Sequence, residues 1–287
     1  MRDLVFVIAK LYVFIYVIIK KMTGVNIPGL GFLLRRVGHD RVFEIHGQKM
    51  WFNHKVASPY GLLVAGVWQE PETHKLIGKV MAGLNEPAAF VDVGANIGAM
   101  MIDTARYEHV HCYGFEPSGE CIRAIRTSMR LNGKNNFTLY QNLVGDCPRM
   151  ILFAEGQDVG AASVHSDLSK SHGMSVRQVT LDESLVINVE HVVLLIDVEG
   201  YEPQVLKGGA HLIRQKRPLI IFEYNFVSKQ HYQLKDIQHA LGADYTLFRL
   251  RKDATLDGEV GDAWNCVAVP NNSPFEKILN NVGSFGK

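Results

Sequence analysis

The residues best able to do chemistry sit where hydrophobic runs end. Asp92-Val93-Gly94-Ala95-Asn96-Ile97-Gly98 places a carboxylate two residues before a glycine turn. Glycines in such a turn let a ligand approach the backbone, because no Cβ holds it off. A glycine turn alone is also what a plain strand-to-helix connection requires. Glu116-Pro117 closes the next apolar run, 24 residues beyond Asp92. An acid at the end of a second strand, about 20 residues past the turn, is placed to accept both hydroxyls of a ribose. Together the two features imply a cofactor that contains a nucleoside.

Charge narrows the choice of cofactor. The dinucleotide fingerprint is G-x-G-x-x-G, with the pyrophosphate seated at a helix N-terminus. Here the spacing is G-x-x-x-G, and Asp92 would oppose two phosphates. The same carboxylate suits the cationic ammonium and sulfonium of S-adenosylmethionine. An NAD-dependent oxidoreductase on a related fold is the enzymatic alternative, and the spacing and Asp92 count against it.

A second set of acids lies further along, at Asp197, Glu199 and Glu223. In an extended segment alternate residues point the same way, so Asp197 and Glu199 are expected to face one pocket. Two close acids raise one pKa, which suits a general base. Hard oxygen ligands of this kind also suit a divalent metal, and a cap on the following helix is the plainer alternative. Glu223, beside Tyr224 and Asn225, is placed to bind hydroxyls or to lie as a surface acid. His165, His172 and His231 are the remaining candidate bases.

These residues need strands to end where they stand. Ala89–Val93, Val110–Phe115, Val192–Ile196 and Pro218–Phe222 are short apolar runs suited to buried strands, and Phe137–Val144 reads as another. Between them lie helical stretches from Ala99 to Tyr107, Ser118 to Leu131, Pro203 to Gln215 and Tyr232 to Leu241. Met150–Ala154 and Gln178–Leu181 read as edge elements, and Tyr245–Leu250 with Asn265–Val269 as an antiparallel pair closing the sheet. Strands alternating with helices imply a doubly wound α/β fold on a mostly parallel, seven-stranded sheet. Ligands of such sheets bind outside the carboxyl ends of the strands.

These segments, in this order, resemble the FkbM family of methyltransferases. The resemblance rests on Phe90 to Gly98, Phe115-Glu116-Pro117, Thr180-Leu181-Asp182, Ile196 to Glu202, Val205 to Gly209 and Ile221-Phe222-Glu223, and covers roughly residues 88 to 225. It implies a Rossmann-like class I methyltransferase fold with S-adenosylmethionine as cofactor. By resemblance, Asp92, Gly94, Ala95, Asn96 and Gly98 line the methionine end, Glu116 and Pro117 the ribose, and Asn142 and Asp146 the stretch near the adenine. The family commonly methylates hydroxyl oxygens on sugars of glycans and glycolipids or on polyketide products. The expected activity is therefore O-methylation of a sugar, glycolipid or similar small polar acceptor. One departure stands out: the family usually has Lys two residues before the aspartate, where this chain has Leu195. The Gly- and Ser-rich stretch 156–176, with Gly160-Ala161-Ala162-Ser163, is similar to a family segment beside the site and is expected to act as a lid. A non-catalytic module of a glycan-synthesis complex is the rival outside enzymology.

Composition excludes little. Of 287 residues 47% are hydrophobic, enough for a sizeable core, and 30 basic residues against 29 acidic ones leave a net charge of +1. No basic excess points to nucleic acid, and none is expected as a partner. Cys112, Cys121, Cys147 and Cys266 lack metal-ligand spacing and read as reduced thiols, mostly core filler, of a cytoplasmic protein. Leu4 to Ile19 is almost wholly apolar and closed by Lys20 and Lys21. As a helix it would span about 24 Å, short of the roughly 30 Å hydrocarbon core, so it is expected to lie on a membrane surface or on the domain itself. The expected organisation is an apolar helix and linker over 1–36, an extension packed on the core over 37–87, and the methyltransferase domain over 88–287.

Overall fold

The computed structural model describes residues 40–52, 68–154, 173–261 and 263–285. The apolar stretch 4–19, most of the Gly/Ser-rich stretch, His165 and His172 lie outside them. Among the described residues no helix is long and apolar enough to cross a membrane.

A hairpin comes first: β1 (Arg41–Ile45) and β2 (Gln48–Phe52) pair antiparallel through His46 and Gly47, both with positive φ, the geometry that matches strand twist in a two-residue turn. Helix α1 (Pro71–Gly83) follows, with its proline in the first turn, where a missing N–H costs nothing. The central sheet then assembles from β3 (Ala88–Val93), β4 (Val110–Phe115), β5 (Phe137–Tyr140), β9 (His191–Ile196), β10 (Leu219–Glu223), β11 (Tyr245–Leu250), β12 (Leu256–Asp257) and β13 (Asn265–Pro270). Its order is β12-β11-β13-β10-β9-β3-β4-β5. The five strands from β10 to β5 pair parallel, and β13, β11 and β12 add on antiparallel.

The strand alternation divides the core in two. Phe90, Val193 and Leu195 join α1, α2 (Ala99–Thr104), α3 (Gly119–Leu131) and α8 (Pro274–Asn281) on one face. Val91, Val192, Leu194 and Ile196 join α5 (Glu202–Gly208), α6 (Ala210–Lys216) and α7 (Leu234–Leu241) on the other. Each fully buried branched or aromatic side chain contributes about 1.5–3 kcal/mol, so both faces need their helices. The hairpin packs on the first face, with Met50 and Phe52 fully buried. Leu195, where the resemblance leads one to expect Lys, belongs to this apolar cluster, so its role is packing.

Three expectations change. The sheet has an eighth strand, the two-residue β12, outside the seven. The run Phe137–Val144 is split: β5 stays in the main sheet, while β6 (Leu143–Val144) joins β7 (Arg149–Ala154) and β8 (Gly173–Val179) in a separate three-stranded sheet. The helix expected over Pro203–Gln215 breaks at Gly209. There α4 (Leu181–Ser184) supplies Asp182, whose carboxylate accepts from the His211 and Leu212 amides at 2.9 Å each and so starts α6 as a new helix. All four cysteines are free, and Cys147 is exposed rather than core.

Candidate active site

The glycine turn is held from two sides. The Gly94 and Ala95 amides both donate to the Phe115 carbonyl at 3.0 Å, and the Asp197 amide donates to the Val93 carbonyl at 2.9 Å. A Cβ on Gly94 would come within 1.9 Å of the Asp197 carbonyl oxygen, and one on Gly98 within 2.6 Å of Ile125 Cγ1. Both glycines have positive φ. They are required by the close approach of β9 and α3 to the turn, a packing reason that the ligand-clearance reading did not contain.

Glu116 is buried and ties the same turn to α3. One of its oxygens accepts from the Asn96 amide at 2.9 Å, the other from the Ser118 amide at 2.8 Å. Those two amides fix the carboxylate at the end of β4, beside the turn. Pro117, next in the chain, is buried too. Asp92 is almost fully buried, and its carboxylate makes no hydrogen bond among the described residues. Burial pushes it up to about 8, with like charge from Glu116 and Glu70 adding to the effect. A buried acid without a partner is costly unless a cation joins it, which fits the ammonium of an amino-acid ligand.

Asn142 and Asp146 stand further out. The Asn142 amide donates to the Arg177 carbonyl of β8 at 3.2 Å, and Asp146 faces Arg149 at 3.5 Å and Lys207 at 3.7 Å. Both are thereby engaged with the small sheet and α5.

The acids of the later strands gather at the ends of β9 and β10, but not as expected. Residues 197–199 are a turn, with Glu199 at φ 54, so alternation along a strand does not pair Asp197 with Glu199. Asp197 instead stands with Glu223 and Glu70: one oxygen from each of the three lies within 4.8 Å of the others. That spacing is compatible with a cation as well as with hydroxyl groups. Burial first, then the charge of Glu223, holds Asp197 well above the ordinary carboxylate range. Glu223 is pushed up to about 8 by burial and then by Glu199, and burial, then Glu70, raises Glu199. Asn225 Nδ2 donates to Glu223 Oε1 at 2.5 Å, while Asn225 Oδ1 accepts from the Val227 and Ser228 amides, which fixes the pair.

Glu202, the first residue of α5, braces the turn before it: its Oε1 accepts from the Val198 and Gly200 amides at 3.3 Å each. His231 lies against this turn: a Cβ on Gly200 would meet its Cδ2 at 2.5 Å. Tyr224 meets Tyr232 with the rings tilted by 46°, and the Lys229 ammonium lies 5.2 Å from the Tyr224 ring centre. Glu70 and Asn265 are functional candidates that the sequence reading missed. Glu70 stands just before a proline-started helix, where an acid is an ordinary residue, and Asn265 is one polar position in an apolar strand.

Residues 92–282 match the methyltransferase FkbM domain, about two thirds of the chain. The chain belongs to the FkbM methyltransferase family. The cofactor of this FkbM domain is S-adenosylmethionine, and the buried, partnerless Asp92 fits its ammonium.

Several solved structures are similar to the chain. A methyltransferase FkbM from Methylobacillus flagellatus is 15% identical, with a TM-score of 0.44 over 75% of this chain and 56% of its own. The chain thus spans little more than half the length of that protein. A TehB-like SAM-dependent methyltransferase from Corynebacterium glutamicum is 11% identical, with a TM-score of 0.43 over 74% of this chain and 94% of its own. An rRNA methylase from Streptococcus thermophilus is 10% identical, with a TM-score of 0.42 over 69% and 95%. Comparison with curated proteins returns no match.

Proposed function

We propose that the protein is an S-adenosylmethionine-dependent O-methyltransferase acting on a hydroxyl of a sugar, glycolipid or similar small polar acceptor. The observation that carries this reading is the close approach of the Asp197 and Glu223 carboxylates at the strand ends, with Asp197 packed against Gly94 of the glycine turn. Bound S-adenosylmethionine supplies an electrophilic methyl group on a sulfonium.

Asp92 pairs with the ammonium of the cofactor, the Gly94–Gly98 turn encloses its methionine end, and Glu116 with Pro117 meets the ribose. Asn142 and Asp146 would meet the adenine, as the family resemblance implies. On the other side the carboxyl pair would orient the acceptor oxygen and take up its proton, and the bound cofactor would supply the methyl group together with its sulfur leaving group. A raised carboxyl pKa matches this task, since a base near the working pH combines availability with driving force. Such a base typically contributes about 10²–10⁴-fold, and orientation supplies much of the rest.

The test is calorimetric titration of S-adenosylmethionine, S-adenosylhomocysteine and NAD into the full chain, with Glu116→Ala alongside. Binding of both sulfur nucleosides, weakened by that substitution, supports the reading. Preference for NAD, or no binding of either nucleoside, sinks it. Transfer of labelled methyl to neutral glycosides then separates an enzyme from a cofactor-fold module without activity.

A further inference from the structure

Glu70 lies 22 residues before the start of the matched domain, yet its carboxylate reaches the domain's strand ends. Its backbone is left-handed, at φ 51, a conformation that costs a non-glycine residue about 1–2 kcal/mol. An acid at this position of a helix ordinarily turns to the free amides of its own first turn. Glu70 makes no such cap. Its Oε2 instead accepts from Asn265 Nδ2 at 2.6 Å, and the same amide donates to Thr73 Oγ1 at 2.9 Å. Asn265 is the register partner of Glu223 on the neighbouring strand, so it fixes Glu70 against the carboxyl pair.

The arrangement collects like charge. Glu70 raises Asp197, Glu199, Glu223 and Asp92 alike, and none of these acids has a Lys or Arg ion pair among the described residues. Burial first, then Glu72 from its own helix, opposes the Glu70 charge, while the Asn265 and Thr73 hydrogen bonds and His74 favour it. Strained backbone and crowded charge persist where the surroundings over-determine them, and such places cluster at ligand clamps. A wall of three carboxyls offers the hydroxyls of a ligand several acceptors within 4.8 Å of one another. It attracts an ammonium and repels a phosphate or carboxylate.

We propose that Glu70 is an acceptor-recognition residue: with Asp197 and Glu223 it forms a three-carboxyl wall that takes a neutral or cationic polyhydroxyl acceptor and rejects an anionic one. This rests on the methyltransferase reading above and names the substrate class at the same site. Asn265 is the positioning residue that holds Glu70 in the wall.

The experiment is saturation-transfer NMR on the full chain loaded with S-adenosylhomocysteine, using methyl β-glucoside, glucosamine and glucuronate as neutral, cationic and anionic probes. The wild type is expected to bind the first two at least about tenfold better than glucuronate, as like-charge rejection implies. Glu70→Gln should cut that discrimination to about threefold or less while S-adenosylhomocysteine still binds, since Glu70 bears on the cofactor half only through its charge at Asp92, and Glu116 keeps the Asn96 and Ser118 amides. Asn265→Ala, which leaves the charge but frees it, should lower discrimination by less, and Glu86→Gln on the surface should change nothing. Unchanged discrimination in Glu70→Gln overturns the proposal, as does equal binding of glucuronate by the wild type or no binding of any probe. Mn²⁺ bound by the wild type and lost in Glu70→Gln also overturns it, since the three acids would then be ligands of a cation. Failure of the wild type to bind S-adenosylhomocysteine instead removes the methyltransferase reading and is read separately.

Discussion

At the ends of β3 and β4 the backbone does the positioning. Amides of the glycine turn bind the Phe115 carbonyl, and Glu116 spends both oxygens on the Asn96 and Ser118 amides. At the ends of β9 and β10 the positioning is done by side chains. Glu70, Asp197 and Glu223 come from three separate stretches of chain, with Glu70 held by Asn265 and Glu223 by Asn225. A backbone-built half serves one cofactor and is hard to vary without breaking the sheet. A side-chain-built half can change its acceptor by substitution while the sheet stays intact.

The sharpest way to break the contrast is Gly94→Ala, which strikes the backbone half. With 1.9 Å to the Asp197 carbonyl and a positive φ, it should lower unfolding free energy by about 3 kcal/mol or more, from overpacking and strain together. Urea denaturation measures this, and an unchanged midpoint would mean that β9 can move away from the turn. Asp197→Asn should act on the other half alone: the turnover rate falls by about 10²–10⁴-fold, while S-adenosylhomocysteine affinity and stability hold. A matching loss of cofactor affinity would show that the two halves are not separable.

Asp92→Asn should weaken cofactor binding by about tenfold or more, the size of a hydrogen bond to a charged group, and its effect on stability should depend on pH. Folding raises Asp92 from 3.8 to about 8, Glu223 from 4.5 to about 8 and Glu202 from 4.5 to about 7. Groups held protonated by the fold leave stability full below their ordinary values, and it declines as the pH climbs toward the raised ones. The free protein should therefore lose stability from about pH 4 to about pH 8. Asp92→Asn should flatten part of that decline, and S-adenosylhomocysteine should do the same in the wild type. Thermal melts across this range decide it, and a flat or rising profile refutes it. The smallest effect belongs to Asn142→Ala, whose side chain bonds the Arg177 carbonyl alone among the described residues. Cofactor affinity should stay within about threefold, the worth of one ordinary hydrogen bond, and a larger loss would extend the cofactor half to the rim.

The backbone half was readable in the chain because its requirements are local. Positive φ at Gly94 and Gly98, and an acid at a fixed distance along the chain, leave their mark on neighbouring residues. Strand ends were equally plain, since β3, β9 and β10 are continuous apolar runs. The other half depends on which distant residues meet. Nothing near Glu70 announces that Asn265, 195 positions later, will turn it toward Glu223. Glu199 misled because the alternation rule holds only for an extended segment, and the chain leaves the strand at Asp197. The split of Phe137–Val144 went unseen for a similar reason: pairing with β8 at residues 178 and 179 moves Leu143 and Val144 into a second sheet, and no local feature marks the change.

The hairpin β1–β2 is fastened to the far end of α3. Lys49 and Asn132 exchange two hydrogen bonds at 2.8 and 2.7 Å, and the Trp51 amide donates to Ser128 Oγ at 2.8 Å. The same helix begins at Ser118, whose amide Glu116 holds. An engineer who swapped residues 92–282 between two relatives would therefore cut inside β3 and strand the transplanted helix without its cover. The recipient would keep its own Glu70 position as well. In this molecule the unit that can be exchanged between proteins begins near the hairpin, some fifty residues before the unit that sequence similarity delimits.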